Sequence, residues 1–288
     1  MRSFLTALAV AVAGIGISAP ADSQTAVSIG PAPAGFSYAD LADLALAAPI
    51  AVHVRVVRAL AVRREQAAAL PAGIARLYVQ ADVVGLIRGA AGLPPRIAYV
   101  VDLPRDSKGR APAIRKDSAF LLLAAPVPGR PGELRLIAPD AHIPWTGERA
   151  EQLRAILQEA AGADAPPRIT GIGRAFHVPG SLPGESETQI FLQAADGRPV
   201  SLNVLRRPGL APLWSVALSE IVDDAAAAPR PQTLLWYRLA CTLPRALPAQ
   251  SLADAGPGAA AAIRADYALV TAGLGPCTRS RARRGAPG

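Results

Sequence analysis

Alternation of apolar and polar positions runs through most of the chain and predicts mainly β structure. Ile50, Val52, Val54 and Val56 share one face, while His53 and Arg55 take the other. That is the period of two required by a half-buried strand. The stretch ARLYVQADVVGLIRG, residues 75–89, extends the pattern. Leu77, Val79, Ala81, Val83 and Ile87 lie on one side, with Arg76, Tyr78, Gln80, Asp82 and Arg88 on the other. Between Val83 and Ile87 both faces turn apolar around Gly85. This predicts a strand that bends or bulges at the glycine and passes into a position covered on both sides. Ile97, Tyr99, Val101 and Leu103 alternate next. The run SAFLLLAA, residues 118–125, is continuously apolar, and Leu134 and Leu136 follow a turn at Pro131 and Gly132. About five strands between Ile50 and Pro144, one of them long and curled, predict a small closed or partly closed barrel.

Residues 162–167, GADAPP, read as a linker, and a second β region follows. Ile172, Phe176 and Val178 alternate, with Arg174 breaking the face; Ile190, Leu192 and Ala194 come next. Asp196 and Gly197 form a strong hairpin-turn signal. Val200, Leu202 and Val204 then return opposite Ser201 and Asn203, and Trp214, Val216 and Leu218 opposite Ser215 and Ala217. Together these predict a four-stranded antiparallel meander with one polar face. Four segments have helical signals. Ser37 with Asp40 forms a variant of the capping box ahead of Leu41, Leu44, Ala45 and Ala48. Thr146 caps a helix over residues 147–162 whose buried face is Ala150, Leu153, Ile156, Leu157 and Ala160. Near the end, Leu235 with Leu239, and Ile263 with Tyr267 and Val270, have helical spacing. Two such helices are expected to cover the apolar face of the second sheet.

The succession GLIRG, PPRIAYVVDLP, a polar loop and DSAFLLLA resembles the oligonucleotide/oligosaccharide-binding (OB) barrel over roughly Ile50 to Pro139. It looks most like the secreted version in tissue inhibitors of metalloproteinases and netrin-like modules. Those inhibitors reach their target's zinc through a cysteine at the mature N-terminus. This chain has none there, so the resemblance implies a barrel and carries over neither inhibition nor any residue role. The whole chain also resembles exported bacterial proteins of unassigned activity, which brings no activity with it. The expected fold class is therefore α+β, mainly β: an OB-like small barrel followed by an antiparallel sheet with a C-terminal helix pair.

Length and targeting signals divide this picture. A chain of 288 residues suggests two domains. Arg2, the apolar run from Phe4 to Ile17 and the small residues Ala19 and Ala21 read as a secretory signal peptide. The run is about 14 residues, shorter than the roughly 20 a spanning helix needs. The expected division is a signal peptide at 1–21, a linker at 22–35 and an OB-like barrel domain with flanking helices at 36–163. An antiparallel β domain at 164–278 and a basic tail at 279–288 complete it. Export places the mature chain in the periplasm or outside the cell. In that oxidising setting Cys241 and Cys277, an even pair, are expected to form a disulfide.

Candidate chemistry is sparse. His53, His142 and His177 fall at no metal-ligand spacing, and neither a phosphate-binding loop nor a zinc-protease motif occurs. A hydrolase would use His177 with Ser181 or Ser186 of the adjoining loop, yet GSLPG is not the GxSxG elbow. Asp223 and Asp224 would face opposite ways on a strand, and Asp102 and Asp106 fit no calcium pattern. Residues 104–117 carry Arg105, Lys108, Arg110, Arg115 and Lys116, an anion-binding candidate that includes both lysines of the chain. The formal net charge is +8, with Arg279, Arg281, Arg283 and Arg284 in a tail expected to be solvated and frayed. The high alanine and arginine content reads as codon bias, which disfavours nucleic acid as a partner. These features favour a non-catalytic periplasmic binding or interaction module without cofactor or metal. Its partner would be a periplasmic protein or an anionic envelope polymer. The alternatives are the hydrolase and an envelope association through the arginine tail.

Overall fold

The computed structural model describes residues 36–67, 70–89, 92–219 and 226–281. The expected signal peptide and linker, Asp223, Asp224, Arg283 and Arg284 lie outside these residues. In chain order come α1 (Tyr38–Ala47), β1 (Ile50–Ala61), β2 (Ile74–Arg88), β3 (Arg96–Pro104), β4 (Ala119–Pro126), β5 (Glu133–Leu136), β6 (His142–Pro144) and α2 (Gly147–Ala161). The second half holds β7 (Ile169–Pro179), β8 (Ser186–Ala194), β9 (Val200–Arg206), β10 (Leu213–Ala217), α3 (Leu234–Ala240) and α4 (Pro257–Leu274).

Five of these strands close an OB-like barrel. They run in the order β1-β2-β3-β5-β4 and return to β1, while β6 pairs with Phe120 to Leu122 on the same edge of β4 as β5. All contacts are antiparallel except β3 with β5, where Ala98 and Tyr99 pair with Glu133 and Leu134 in parallel. The interior is filled by Val52, Val54, Val56, Leu77, Val79, Ala81, Ile97, Tyr99, Val101, Leu122 and Ala124. The alternate residues Ala51, Leu121 and Leu123 point outward, into a second cluster with α1 and α2. This double coverage explains why β4 reads as an unbroken apolar run rather than an alternating one.

The curled strand behaves partly as its sequence suggests. The register of β1 against β2 slips between His53, opposite Gly85, and Val54, opposite Val83. A bulge therefore sits at Val84, beside the glycine. The expected double coverage does not follow: Val84 and Leu86 are 48% and 40% exposed. Beyond the bulge, β2 leaves β3 but stays paired with β1 as far as Ala51 and Arg88, and Arg88 donates to the Ala45 carbonyl of α1.

The separate four-stranded sheet runs β10-β9-β8-β7, entirely antiparallel. Its inner face carries Ile190, Leu192, Leu202, Val204 and Val216, packed with Ile263, Tyr267 and Val270 of α4. One strand departs from its expected face. A slip between Ile172 and Ala175 of β7 reverses the parity of the residues that follow. Ile172 and Ala175 are buried, whereas Phe176 and Val178, expected beside Ile172, point to solvent.

The helices follow their caps. Ser37 and Asp40 exchange both capping-box bonds at α1, and the Thr146 side chain accepts from the Arg149 backbone N–H at α2. Gly273 of α4 is required by close approach, because a Cβ there would fall 2.6 Å from Nε1 of Trp214. Cys241, at the end of α3, is disulfide-bonded to Cys277, just beyond α4. Residues 162–167 form a turn and a short coil between α2 and β7. One buried cluster joins Leu41, Leu121, Ile143 and Leu153 to Ile190, Leu202 and Ile263. No helix among the described residues is long and apolar enough to cross a membrane.

Candidate functional site

A pocket of about 700 Å³ opens at one end of the barrel. The end of β3 supplies Asp102, Leu103 and Pro104; the β5–β6 connection supplies Ala138, Pro139 and Asp140; His142 begins β6. Phe36 and Asp43 come from α1 and the residue before its cap, while Arg279 and Arg281 come from the chain beyond the disulfide.

Four of the pocket's charges pair within it. Arg279 donates to Asp43 through Nε (2.7 Å) and Nη2 (3.1 Å). Arg281 donates to Asp140 in the same two-point manner, at 2.6 and 2.9 Å. Between them, Ser280 gives its backbone N–H and its hydroxyl to Oδ2 of Asp40, and the Arg281 N–H reaches Oδ1. Asp40, fully buried, thus caps α1 and holds the returning C-terminal segment as well. Burial pushes the Asp40 carboxyl upward, but bonds from Ser280 and Ser37 outweigh it and leave it below its ordinary value. Asp43 is likewise raised by burial and lowered more by Arg279 and Tyr237, with a net downward result. The Tyr237 hydroxyl donates to Asp43 at 2.5 Å, and burial together with that carboxylate raises the phenol to about 12. On the β3 side, Asp102 is held by Arg76 through two 2.7 Å bonds.

The solvated tail expected from Arg279 onward is therefore corrected over its first residues. Arg279 and Arg281 each keep only 22% of the side chain exposed. Their guanidiniums find carboxylates on α1 and after β5, partners too distant in sequence to be anticipated from it.

His142 lines the pocket and is its most perturbed base. Its Nε2 lies 3.0 Å from the Tyr99 hydroxyl, and its ring stacks on Phe120 at 3.8 Å between centroids. Burial lowers its pKa from 6.5 to about 4. The unfolded chain takes up this proton below about 6.5, while the folded chain resists until about 4. Stability is whole above that window and drains within it as pH falls. The expected loss is about 3 kcal/mol at pH 4, taking roughly 1.4 kcal/mol per pH unit. Urea titrations at stepped pH should show this slope, and His142→Asn should flatten most of it. Burial, then Arg55 and Arg154, also lowers His53, which stacks on Trp145 at 4.9 Å and acts in the same direction, as do the lowered carboxyls of Asp40 and Asp43 at the acid end. An unchanged slope in the variant would place the titration elsewhere.

The basic loop between β3 and β4 is less available than its composition suggests. Arg105 donates to the Ile74 and Gly109 carbonyls. Arg110 pairs with Asp106 at 2.8 Å, and the same carboxylate accepts from the Lys108 and Arg110 backbone N–H groups. Arg115 and Lys116 are exposed at the far end of the loop, as is the Lys108 side chain.

His177 and Ser181 do not form a couple. The Ser181 hydroxyl lies 3.5 Å from Glu185, whereas His177 Nδ1 lies 2.8 Å from the Thr188 hydroxyl on the neighbouring strand. Thr188 in turn donates to Asp266 of α4 at 2.5 Å, and Arg206 donates to the other oxygen at 2.7 Å. Ser186, the other candidate, faces Pro179 and Arg206 at the end of β8.

Sequence reasoning passed over Asp43, Asp140 and Asp266. Asp266 carried a readable signal, being an acid on the apolar face of α4, three residues after Ile263. Asp43 and Asp140 carried none beyond their charge. No protein-family model matches the chain, and no curated protein is significantly similar to it.

Proposed function

We propose that the chain is an exported, non-catalytic binding module that holds its ligand in the pocket at the barrel end. The observation that carries this reading is the pocket: about 700 Å³, within the size range of small-molecule and peptide-end sites. It combines apolar walls at Phe36, Leu103 and Ala138 with carboxylates and guanidiniums fixed in place by one another. Its one histidine is occupied by Tyr99 and held neutral, which suits a lining group better than a general base. The Cys241–Cys277 disulfide supports an oxidising compartment.

The test is native mass spectrometry of the chain purified from an oxidising compartment, beside a Pro139→Trp variant that fills the pocket from an exposed wall position. A stoichiometric companion in the parent, absent from a variant of equal melting temperature, is the expected result. An empty parent that also shows no thermal shift across a broad panel of polar small molecules and peptides overturns the reading.

A second reading, hydrolysis at His177, is favoured by its hydrogen-bond chain to the buried Asp266, which fixes the ring and directs Nε2 away from Thr188. Hydrolytic activity lost in His177→Ala, but kept in Ser181→Ala and Pro139→Trp, would select it.

A further inference from the structure

We propose that residues 279–281 are a displaceable lid on this pocket, and that the carboxylates beneath them form a recognition site for an arginine-bearing peptide. The inference rests on the binding reading above and names its ligand class.

The three lid residues are read one by one. Asp43 takes the first guanidinium, Asp40 takes the serine backbone and hydroxyl, and Asp140 takes the second guanidinium. Both guanidiniums present Nε and Nη2 side-on to two carboxylate oxygens, a geometry that lysine cannot reproduce. Two of the three carboxylates are also held from outside the lid. Asp40 is fixed by Ser37 and Asp43 by Tyr237. Taking the two arginine side chains away leaves Asp43 and Asp140 facing the pocket beside Asp102, while Asp40 stays covered by the Ser280 and Arg281 amides, so the vacated site is anionic.

The lid is also built to leave. Arg-Ser-Arg has no apolar anchor; its two arginine pairs are partly exposed and individually modest, so its firmest hold is the set of bonds from Ser280 and the Arg281 amide to the buried Asp40. The disulfide at Cys277 fixes the chain two residues earlier, so the segment can lift without moving α4. Its advantage over a free peptide is its tether, which gives it an effective concentration on the order of millimolar. A peptide of the same chemistry displaces it only near that concentration.

The experiment uses the full chain carrying Arg279→Ala and Arg281→Ala, titrated calorimetrically with the end-blocked tripeptide Arg-Ser-Arg. Binding at least ~10-fold tighter than to the parent chain is expected, because the competing side chains are gone. Lys-Ser-Lys should bind at least ~10-fold more weakly, and Asp43→Asn with Asp140→Asn should abolish binding. A folded double variant that ignores the peptide, or that binds both peptides equally, overturns the proposal. If the double variant does not fold, hydrogen exchange on the parent decides. Millimolar Arg-Ser-Arg should speed exchange of the Ser280 and Arg281 amides, which donate to Asp40, and no change overturns the lid. A co-purified companion lost in Pro139→Trp, without any response to the peptide, would leave the pocket as a binding site and remove only its lid and ligand class.

Discussion

Replacing Cys241 and Cys277 with serine is expected to cost about 4 kcal/mol. The bond closes a loop of 36 residues, and the chain-entropy relation assigns about that much to a closure of this length. For a unit of this size the loss lowers Tm by roughly 10 °C. The structure says where it will be felt. The loop spans from the end of α3 to the chain beyond α4, and the Trp236 indole N–H bonds to the Leu274 carbonyl across the same junction. The lid begins two residues after Cys277, so loss of the bond should also loosen Arg279 and Arg281. Urea unfolding of the oxidised, reduced and double-serine forms checks this. A loss under 1 kcal/mol would mean that packing of Trp236, Leu239 and Leu274 holds the helix pair without the covalent link.

Arg206→Ala is expected to cost about 3 kcal/mol, near the lower end for breaking a buried pair. Asp266 is 1% exposed, while its partner Arg206 keeps 36% of its side chain exposed. Removing the arginine strands a carboxylate in the interface between α4 and the sheet, with the Thr188 hydroxyl as its one remaining side-chain donor among the bonds described. Water can follow the vacated side chain, which keeps the cost from the upper end of the range. Asp266→Asn should cost less, about 1–2 kcal/mol, since Thr188 keeps an acceptor and Arg206 can turn to solvent. The ordering is the test. If denaturation shows Asp266→Asn to be the more damaging change, the stranded charge is not the source of the effect. His177 should report the same event, as its Nδ1 partner is Thr188. Its imidazole resonances should shift in Arg206→Ala.

The legible part of this protein is the part governed by local periodicity. Alternation identified the barrel strands, the double apolar face of β4 and the four-stranded sheet, because burial of one face imposes a period of two. Ser37 with Asp40 and Thr146 identified helix starts, because a cap acts within one turn. The cysteine pair was legible through compartment and number. Legibility ended wherever one inserted residue changed parity. The slip in β7 sent Phe176 and Val178 outward, and the bulge at Val84 carried the end of β2 out of the barrel's cover. The pocket was not legible, since it joins side chains from positions near 40, 102, 140 and 280. Its arginines were visible only as excess charge, and excess charge reads as solvated until a carboxylate is known to lie opposite. The basic loop is the opposite case. Arg105 and Arg110 appeared available because their acceptors, a backbone carbonyl of β2 and Asp106 within the loop, are fixed by turn geometry.

Asp40 has a consequence for the order in which the molecule can be completed. Its carboxylate is buried at the first helix, yet three of its donors, the Ser280 amide and hydroxyl and the Arg281 amide, lie about 240 positions later. A chain emerging N-terminus first can form α1 and its capping box at once. Until residue 281 is free, that carboxylate must stay wet or pay for partial desolvation. The barrel closes where Ile50 to Arg55 of β1 pair with Ala119 to Ala124 of β4, a shorter span of chain than this junction, which has the greatest sequence separation of any bond described. Topologically distant contacts form late. The final step of folding should therefore be the docking of the C-terminal segment onto α1, a kinetic phase that Ser280→Ala would weaken without touching barrel formation.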